Sequence, residues 1–317
     1  MQPTIPVIVC IDVEPDGPVN GRDVRPAWSG YEKSRDFFNG LRVRLASATG
    51  SQVHFSWFYR MDPQIADLYG SGAWPVTAYR AYADDFVARG DEAGLHTHLY
   101  RYDEGRGDWI IDNGNTAWVR HCIESSCACF EAAFNRPAAC HRFGDRFFDS
   151  TALGSLVQAG CGYDLSLEPG FKEHPGSDIA RLTTGALPDM SDVPDAPYRP
   201  APDDVHRPAP SASGGLWLIP LGTGRVGSGF FNLFGPRRWY PLHLGLDSRL
   251  FAAIAGQLLR RLSRPYIGIV LKTDMLLEPR LADAMRSNLE FFMRSRSSSR
   301  FVFATPREAM RRLGYER

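Results

Sequence analysis

The sequence predicts an α/β protein, a distorted (β/α) barrel of about seven parallel strands, built as a single domain with a proline-rich insertion. Three observations predict this fold class. Short apolar runs rich in β-branched residues alternate with longer amphipathic segments along the chain. Polar residues that suit catalysis follow directly after several of these runs. The length of 317 residues lies in the range that such barrels occupy as one domain.

The apolar runs are predicted to be strands buried on both faces. The sequence of such a strand is apolar throughout and does not alternate between apolar and polar residues. Strands that alternate with helices run parallel, and about seven such units favour closure into a barrel. The predicted strands are Ile5–Asp12, Gln52–Phe58, Glu92–His98, Ala138–Arg142, Gly162–Ser166, Leu216–Leu221, Tyr266–Leu271 and Phe301–Ala304.

The segments between the strands are predicted as helices. In the first of them Phe37, Leu41 and Leu45 recur at a spacing of four, which places them on one face. Gly90 and Gly160 follow two others, at positions where helices commonly end. The predicted helices are Ser34–Ser47, Val76–Arg89, Thr116–Phe134, Thr151–Ala159, Ser248–Leu262, Pro279–Met293 and Pro306–Leu313.

Two stretches depart from this alternation. The stretch of about 186–214 is rich in proline, aspartate and alanine and shows no hydrophobic period, so we interpret it as an extended loop or insertion within the barrel. The stretch 230–240 is rich in aromatic and basic residues. It predicts either a rim that stacks against a sugar, with Trp239 as a substrate-binding residue, or an ordinary packed loop.

Composition argues against several classes of function. Lys plus Arg and Asp plus Glu both number 36, whereas nucleic-acid binders usually carry a basic excess, so we expect no nucleic-acid partner. No run approaches the roughly 18 apolar residues that a membrane span needs. The N-terminal apolar run has neither a basic segment before it nor a cleavage site after it, which predicts a first strand and a cytosolic protein.

In (β/α) barrels the chemistry lies at the carboxyl ends of the strands. Acidic, imidazole and cationic side chains from different predicted strands therefore converge on one face. The polar residues directly after the apolar runs are Asp12, Glu14, Ser56, His96, His98, His141, Arg142, Asp164, Lys272 and Asp274.

His96 and His98 are two residues apart, so both imidazoles point to the same side of an extended strand. With a carboxylate from another strand they form a set of two histidines and one carboxylate, which leaves positions open for water and substrate. A metal held there would polarise a carbonyl and acidify water. The competing interpretation is that the histidines cap the barrel end by hydrogen bonds to the backbone.

Asp12 and Glu14 also fall on one face if the first strand continues. One of them could bind the metal while the other acts as general base on water. Arg142, at the end of another strand, could hold the base in its orientation; the alternative is an ordinary surface arginine. Asp16 completes the acidic run and is a third candidate ligand.

Five segments resemble the motifs of the polysaccharide deacetylase superfamily, carbohydrate esterase family 4, which shares the NodB-type domain. The resemblance covers nearly the whole chain apart from the insertion, and within the superfamily it is to the branch associated with lipopolysaccharide and O-antigen loci. The five segments are VIVCIDVEPDG (7–17), EAGLHTHLY (92–100), CHRFGDRFFDSTALGSLVQAGCGYDLSLEP (140–169), LWLIPLG (216–222) and IGIVLKTDMLLEP (267–279).

The resemblance implies a distorted barrel and a metal-dependent hydrolase that removes an N-acetyl group from an aminosugar of a glycan, glycolipid or sugar precursor. Zinc is the expected divalent ion. By this analogy Asp12 is the base and Arg142 orients it. Leu218 could line the pocket for the acetyl methyl, and Asp274 could bind substrate. The implied metal ligands are Glu14, His96 and His98.

The chain departs from the family pattern in its first, second and fifth motifs. Asp12 and Glu14 flank a valine where the family has two adjacent aspartates, and the two histidines are two apart where the family usually has four. Lys272 stands where the family has a general-acid histidine. A lysine of lowered pKa could donate that proton, or Lys272 could anchor an anionic group. Two other functions therefore stay open: a non-catalytic carbohydrate-binding or assembly protein, and an amidohydrolase of a non-sugar small molecule.

Overall fold

The computed structural model describes residues 4–19, 21–174, 183–201, 203–209, 215–227, 237–295 and 298–316. Residues 202 and 210–214 of the predicted insertion lie outside the described part, as do residues 230–236 of the aromatic stretch. The strands are β1 Ile5–Val13, β2 Ser56–Arg60, β3 Glu92–Thr97, β4 Tyr100–Asp103, β5 Asp108–Ile111, β6 Cys140–Phe143, β7 Tyr163–Asp164, β8 Pro200–Ala201, β9 Asp204–Pro208, β10 Trp217–Leu218, β11 Thr223–Gly227, β12 Arg237–Pro241, β13 Ile267–Lys272 and β14 Phe301–Phe303.

Helices connect the strands of the main sheet. They are α1 Ser29–Thr49, α2 Pro63–Tyr69, α3 Trp74–Ala78, α4 Arg80–Ala88, α5 Thr116–Phe134, α6 Ser150–Gln158, α7 Ser248–Arg261, α8 Pro279–Arg294 and α9 Pro306–Arg312. None of these helices of the described residues combines the length and the apolar character that crossing a membrane requires.

The main sheet has the strand order β10-β7-β6-β3-β2-β1-β13, and every neighbouring pair is parallel. The short strand β14 pairs in parallel with the first three residues of β1. This arrangement confirms the predicted distorted (β/α) barrel. Because all strands run the same way, their carboxyl ends, and the side chains that follow them, gather at one end of the barrel.

Irregular segments connect the two edge strands of the sheet, β10 and β13. The N–H of Gly222 donates to the carbonyl of Gly268 in β13 at 2.9 Å, and the N–H of Leu242 donates to the carbonyl of Gly222 at 2.6 Å. Residues 242–244 then pair in parallel with Val270 of β13. On this side the barrel is therefore closed by isolated backbone bridges and not by a continuous pair of strands. This irregular closure is what makes the barrel distorted.

Side chains of β1 alternate between two apolar clusters. The outward face packs against the helices through Val7, Val9, Ile11 and Val13. The inward face contributes Ile8 and Cys10 to a second cluster inside the barrel, which α9 closes from below. Successive inward positions are two residues apart, so Asp12 continues the inner row above Cys10. The sheet thus presents apolar residues at the barrel floor and polar residues at its mouth.

Two predicted helices have other boundaries in the structure. The first begins at Ser29 rather than Ser34, because the carboxylate of Asp16 accepts hydrogen bonds from the N–H groups of Ser29 and Gly30, at 2.7 and 2.9 Å. Gly30 also lies directly against the backbone of residues 273–274, where a Cβ would collide. The predicted helix Val76–Arg89 is divided at Tyr79, whose backbone is not helical.

The predicted insertion packs more closely than an extended loop would. Tyr198 exchanges backbone hydrogen bonds with Leu218 of β10 at 3.0 and 2.9 Å, and its hydroxyl donates to the carbonyl of Val205 at 2.7 Å. Met190 and Val193 are buried. The strands β8 and β9 form an antiparallel pair within it. Apolar side chains too irregularly spaced to show a period therefore hold this segment against the β10 edge.

Asp112, which follows β5, joins three parts of the fold. Its carboxylate accepts hydrogen bonds from Arg101 of β4 at 2.6 Å, from Asn115 before α5 at 3.1 Å, and from the hydroxyl of Thr184. Burial alone would raise the pKa of Asp112, but these donors hold it below its ordinary value. The ionised carboxylate is therefore the form that the fold stabilises.

Replacing Asp112 with Asn is expected to lower the free energy of unfolding by about 1–3 kcal/mol at neutral pH. Because the folded-state pKa is depressed, this contribution is present above the unfolded pKa of about 3.9 and is lost as the pH falls towards the folded value. Urea unfolding of both proteins at neutral pH and near the lowest pH at which the protein stays folded, below about pH 3.9, measures the difference. The exposed Asp36→Asn variant is the control. A deficit that stays the same size in acid would contradict this assignment.

Candidate metal centre

Three side chains that could ligate a metal ion meet at the carboxyl ends of β1 and β3. Nε2 of His96 lies 3.2 Å from Oε1 of Glu14 and 3.1 Å from Nε2 of His98. The Nε2 atom of His98 lies 3.4 Å from the other carboxylate oxygen, Oε2 of Glu14. All three residues are buried. The structure therefore brings together the histidine pair and one of the acids after the first strand.

The spacing of these donor atoms suits a divalent ion. In a tetrahedral site with metal–ligand bonds of about 2.0–2.1 Å, neighbouring donors are about 3.3 Å apart. The two Nε2 atoms are 3.1 Å apart, and Oε1 and Oε2 of Glu14 lie 3.2 Å from that of His96 and 3.4 Å from that of His98, so each nitrogen has a carboxylate oxygen close to this distance. Two imidazoles and one carboxylate also leave a fourth position for water or substrate, as catalytic sites require. The residues present fit the group that the sequence predicts.

The other ring nitrogen of each histidine has a partner that favours Nε2 as the ligand. Nδ1 of His96 lies 3.2 Å from the carbonyl of Arg142, and Nδ1 of His98 lies 3.4 Å from Oδ2 of Asp145. The carbonyl at Nδ1 of His96 keeps the proton there and fixes the ring. Nδ1 of His98 is within ion-pair distance of Asp145 but makes no hydrogen bond among the described residues. Our sequence analysis missed Asp145, although it follows β6 at the same end of the barrel and the strand-end pattern extends to it.

Gly144 provides the space that His98 occupies. A Cβ built on this glycine would overlap three atoms of the His98 ring. Contact this close leaves no room for any side chain at position 144. Glycine is therefore required here because of the His98 ring and not because of its own backbone conformation.

Replacing Gly144 with Ala is expected to displace the His98 ring and to weaken metal binding by at least about tenfold, the size of effect seen when support for a ligand is lost. Titration calorimetry with Zn²⁺ measures this affinity. The control is Gly154→Ala in α6, where a Cβ meets no atom within 4 Å, and where we expect unchanged affinity. Equal affinities in the two variants would show that His98 is not a ligand.

Asp12 and Arg142 form a buried ion pair beside the triad. Nε of Arg142 donates to Oδ1 of Asp12 at 2.7 Å, and its Nη1 donates to the carbonyl of Leu165 at 3.3 Å. Oδ1 of Asp12 lies 3.9 Å from Nδ1 of His96. Within the described residues, the buried Oδ2 of Asp12 has no hydrogen-bond partner. Arg142 thus holds one carboxylate oxygen and leaves the other available, the arrangement of an oriented base.

Lys272, at the end of β13, is the partner of Asp12 in the sheet register and also contacts Glu14. Its Nζ is 3.2 Å from Oε1 of Glu14. Burial alone would lower the pKa of Lys272, but Glu14, Asp12 and Asp145 raise it above its ordinary value. The lowered lysine pKa that we considered from the sequence is therefore not found, and Lys272 is a cation in this arrangement. Burial acts to raise the pKa of Glu14, but Lys272, His98 and His96 hold it well below its usual range.

Our sequence analysis also missed Arg60, because the second predicted strand ended at Phe58 whereas β2 continues to Arg60. Nη1 of Arg60 is 3.5 Å from Oε2 of Glu14, and its Nε donates to Asp62 at 2.8 Å. The same Asp62 carboxylate accepts from the backbone N–H of His98 at 3.0 Å. Arg60 and Asp62 therefore connect both ligand segments and fix their relative position.

Among the described residues, Asp16, Asp274 and Leu218 form no hydrogen bond or ion pair with the triad. Asp16 caps α1, as described above, so its carboxylate is occupied elsewhere. Asp274 follows Lys272, and burial and nearby Glu14 raise its pKa. Leu218 belongs to the cluster that packs against the helices, while its neighbour Ile219 belongs to the inner cluster.

Trp239 lies on β12, in the hairpin with β11, and its ring packs against Gly170. A Cβ at Gly170 would come within 2.6 Å of that ring. Trp239 is thus partly packed and partly exposed, and a role in binding a sugar remains a prediction for it, as it does for Leu218 and Asp274.

No protein-family model and no curated protein matches the sequence. Solved structures do match at 12% identity. One from Parabacteroides distasonis, described as a glycoside hydrolase/deacetylase, has a TM-score of 0.57, with 96% of this chain and 71% of that chain covered. One from Mycobacterium smegmatis, described as a polysaccharide deacetylase, has a TM-score of 0.53, with 99% and 92% covered. The PuuE allantoinase has a TM-score of 0.52, with 98% and 90% covered. This chain therefore has the fold that these deacetylase structures and the allantoinase share.

Proposed function

We propose that this protein is a metal-dependent hydrolase that removes an N-acetyl group from an aminosugar, with zinc as its ion. The observation that carries the proposal is the buried triad of Glu14, His96 and His98 beside the ion pair of Asp12 and Arg142. The two Nε2 atoms of the triad are 3.1 Å apart, and each lies 3.2–3.4 Å from one oxygen of Glu14. A triad of ligands with an oriented carboxylate next to it is the minimum that metal-assisted amide hydrolysis needs.

A divalent ion at this triad supplies Lewis acidity, which polarises the amide carbonyl and acidifies a water. Asp12 accepts the proton of the attacking water at Oδ2, the oxygen that Arg142 leaves available. The water oxygen bonds to the carbonyl carbon, the C–N bond breaks, and the proton that Asp12 accepted passes to the leaving nitrogen, so that acetate and the amine are released. Arg142 keeps Asp12 in place through the hydrogen bond from its Nε to Oδ1.

The resemblance of the five sequence segments supports the sugar as substrate and a glycan, glycolipid or sugar precursor in the cytosol as its source. The same resemblance supports the branch associated with lipopolysaccharide and O-antigen loci. The cationic Lys272 beside Glu14 suits the alternative that we considered from the sequence, an anchor for an anionic group such as the phosphate of an activated sugar.

The test is metal analysis of the purified protein followed by assay of acetate release from N-acetylated sugars, with and without a chelator. We expect about one zinc per chain and acetate release that the chelator abolishes and added zinc restores. Allantoin and simple N-acetyl amines belong in the same panel. Zinc binding with binding of sugars but no acetate release would favour the non-catalytic alternative, and activity restricted to non-sugar amides would favour the small-molecule amidohydrolase.

A further inference from the structure

One imidazole near the candidate site has no role in the mechanism above. His243 lies in residues 242–244, which bridge to β13 on the side away from β1. It lies outside the strands that the sequence predicts. The structure instead makes it part of the barrel wall.

The sheet register fixes the direction of the His243 side chain. His243 is directly opposite Val270, and Val270 is directly opposite Cys10 of β1. Paired residues of neighbouring strands point to the same face, and Val270 and Cys10 both belong to the inner cluster. His243 therefore points into the barrel, one layer below the Asp12–Lys272 pair, while its neighbours Leu242 and Leu244 pack outwards.

A backbone contact determines which ring nitrogen of His243 carries the proton. The N–H of Gly245 donates to Nδ1 of His243 at 3.0 Å. Nδ1 is therefore the acceptor, so the neutral ring carries its proton on Nε2, on the opposite edge. The His243 residue is partly exposed.

The charges around His243 keep the ring neutral. Burial is the largest influence and lowers the pKa of His243 to about 4; Lys272 and Arg142 act in the same direction, and Asp12 opposes them. These three are the charged groups of the described residues that face the ring from the neighbouring strands. At neutral pH the ring is a fixed hydrogen-bond donor without charge.

We propose that His243 is a substrate-binding residue whose Nε2–H donates a hydrogen bond to an oxygen of a sugar held at the barrel mouth beside the Asp12–Lys272 pair. The inference rests on the proposed function for the identity of the ligand as a sugar. Its geometry rests only on the sheet register and the Gly245 contact. A donor that is neutral suits the hydroxyl and ring oxygens of a sugar, whereas the cationic Lys272 suits an anion.

The first experiment compares two variants of similar size. His243→Leu removes the donor, and we expect it to raise KM for an N-acetylated sugar by about three- to tenfold with kcat within about twofold, because one neutral hydrogen bond is lost. His243→Gln keeps an N–H donor, and we expect it to retain a KM close to that of the original protein. His121→Gln, on the exposed face of α5, is the matched control. An unchanged KM in His243→Leu, or equal losses in Leu and Gln, would overturn the proposal.

The second experiment does not depend on turnover. In ¹⁵N-histidine NMR of the whole protein we expect one ring to show the neutral Nε2–H tautomer down to about pH 5, and this signal to be missing in His243→Gln. N-acetylglucosamine at high millimolar concentration should shift the signal. A ring protonated at neutral pH, or a signal that the sugar does not move, would overturn the proposal. If the protein binds N-acetylglucosamine here but releases no acetate, only the proposed hydrolysis fails.

Discussion

Replacing Asp12 with Asn is expected to reduce acetate release by at least about a hundredfold while the protein keeps its metal. The loss follows because general-base catalysis contributes about 10²–10⁴-fold, and an amide cannot take the proton. Metal is retained because Glu14, His96 and His98 form the triad without Asp12. The measurement is acetate release per folded, metal-loaded molecule, with zinc content determined on the same preparation.

Asp12→Asn also leaves the buried guanidinium of Arg142 without its partner, so a loss of stability is expected together with the loss of activity. Asp91→Asn is a matched control for this effect. Asp91 is buried and pairs with Arg42 at 2.9 and 2.6 Å, near the start of β3 and thus at the other end of the barrel. We expect it to lose comparable stability but to keep its activity per folded molecule. Normal turnover in Asp12→Asn would show that another group is the base.

Replacing His98 with Gln is expected to abolish tight metal binding and all metal-dependent turnover. One imidazole of the triad is lost, and the remaining pair cannot hold the ion with the original geometry. In the unmodified protein, zinc at about a thousand times its Kd adds about 4 kcal/mol to the free energy of unfolding. Thermal unfolding with and without zinc should therefore show a rise in Tm of several degrees in the unmodified protein and none in the variant.

His54→Gln is the control for this experiment. His54 lies before β2, with Nδ1 at 2.9 Å from the carboxylate of Glu308 at the opposite end of the barrel. It is a partly buried histidine that takes no part in the triad, so its variant should keep both metal and activity. A zinc-dependent rise in Tm that survives in His98→Gln would place the metal elsewhere and remove the basis of the proposed function.

The fold class could be predicted from the sequence because it depends only on the alternation of apolar strand segments with amphipathic helical segments. Strands buried on both faces have to be apolar throughout, and the long amphipathic segments between them have to cover those faces. The exact ends of the elements could not be predicted. α1 begins at Ser29 because a carboxylate thirteen residues earlier caps it, and Tyr79 divides a helical pattern because its ring packs on Tyr31 and its hydroxyl donates to Glu32. These contacts are made by residues distant in sequence.

The part of the candidate site that could be predicted is the part in which the spacing of residues along one strand decides which side chains share a face. His96 and His98 share a face because extended residues two apart always do, and the same rule places Glu14 in the row of Asp12. The strand-end rule found Arg142 and Lys272 for the same reason. It missed Arg60 only because the predicted strand was two residues too short.

The sequence by itself determined which residue types stand at the mouth of the barrel, because strand direction and side-chain alternation are local properties of the chain. Only the tertiary structure decided which of the three acids joins the histidines, what charge Lys272 carries, and that His243 points inwards. Each of these depends on distances between strands that are far apart in sequence. Asp12 is paired with Arg142, Asp16 caps a helix, and Glu14 is the acid that reaches the imidazoles.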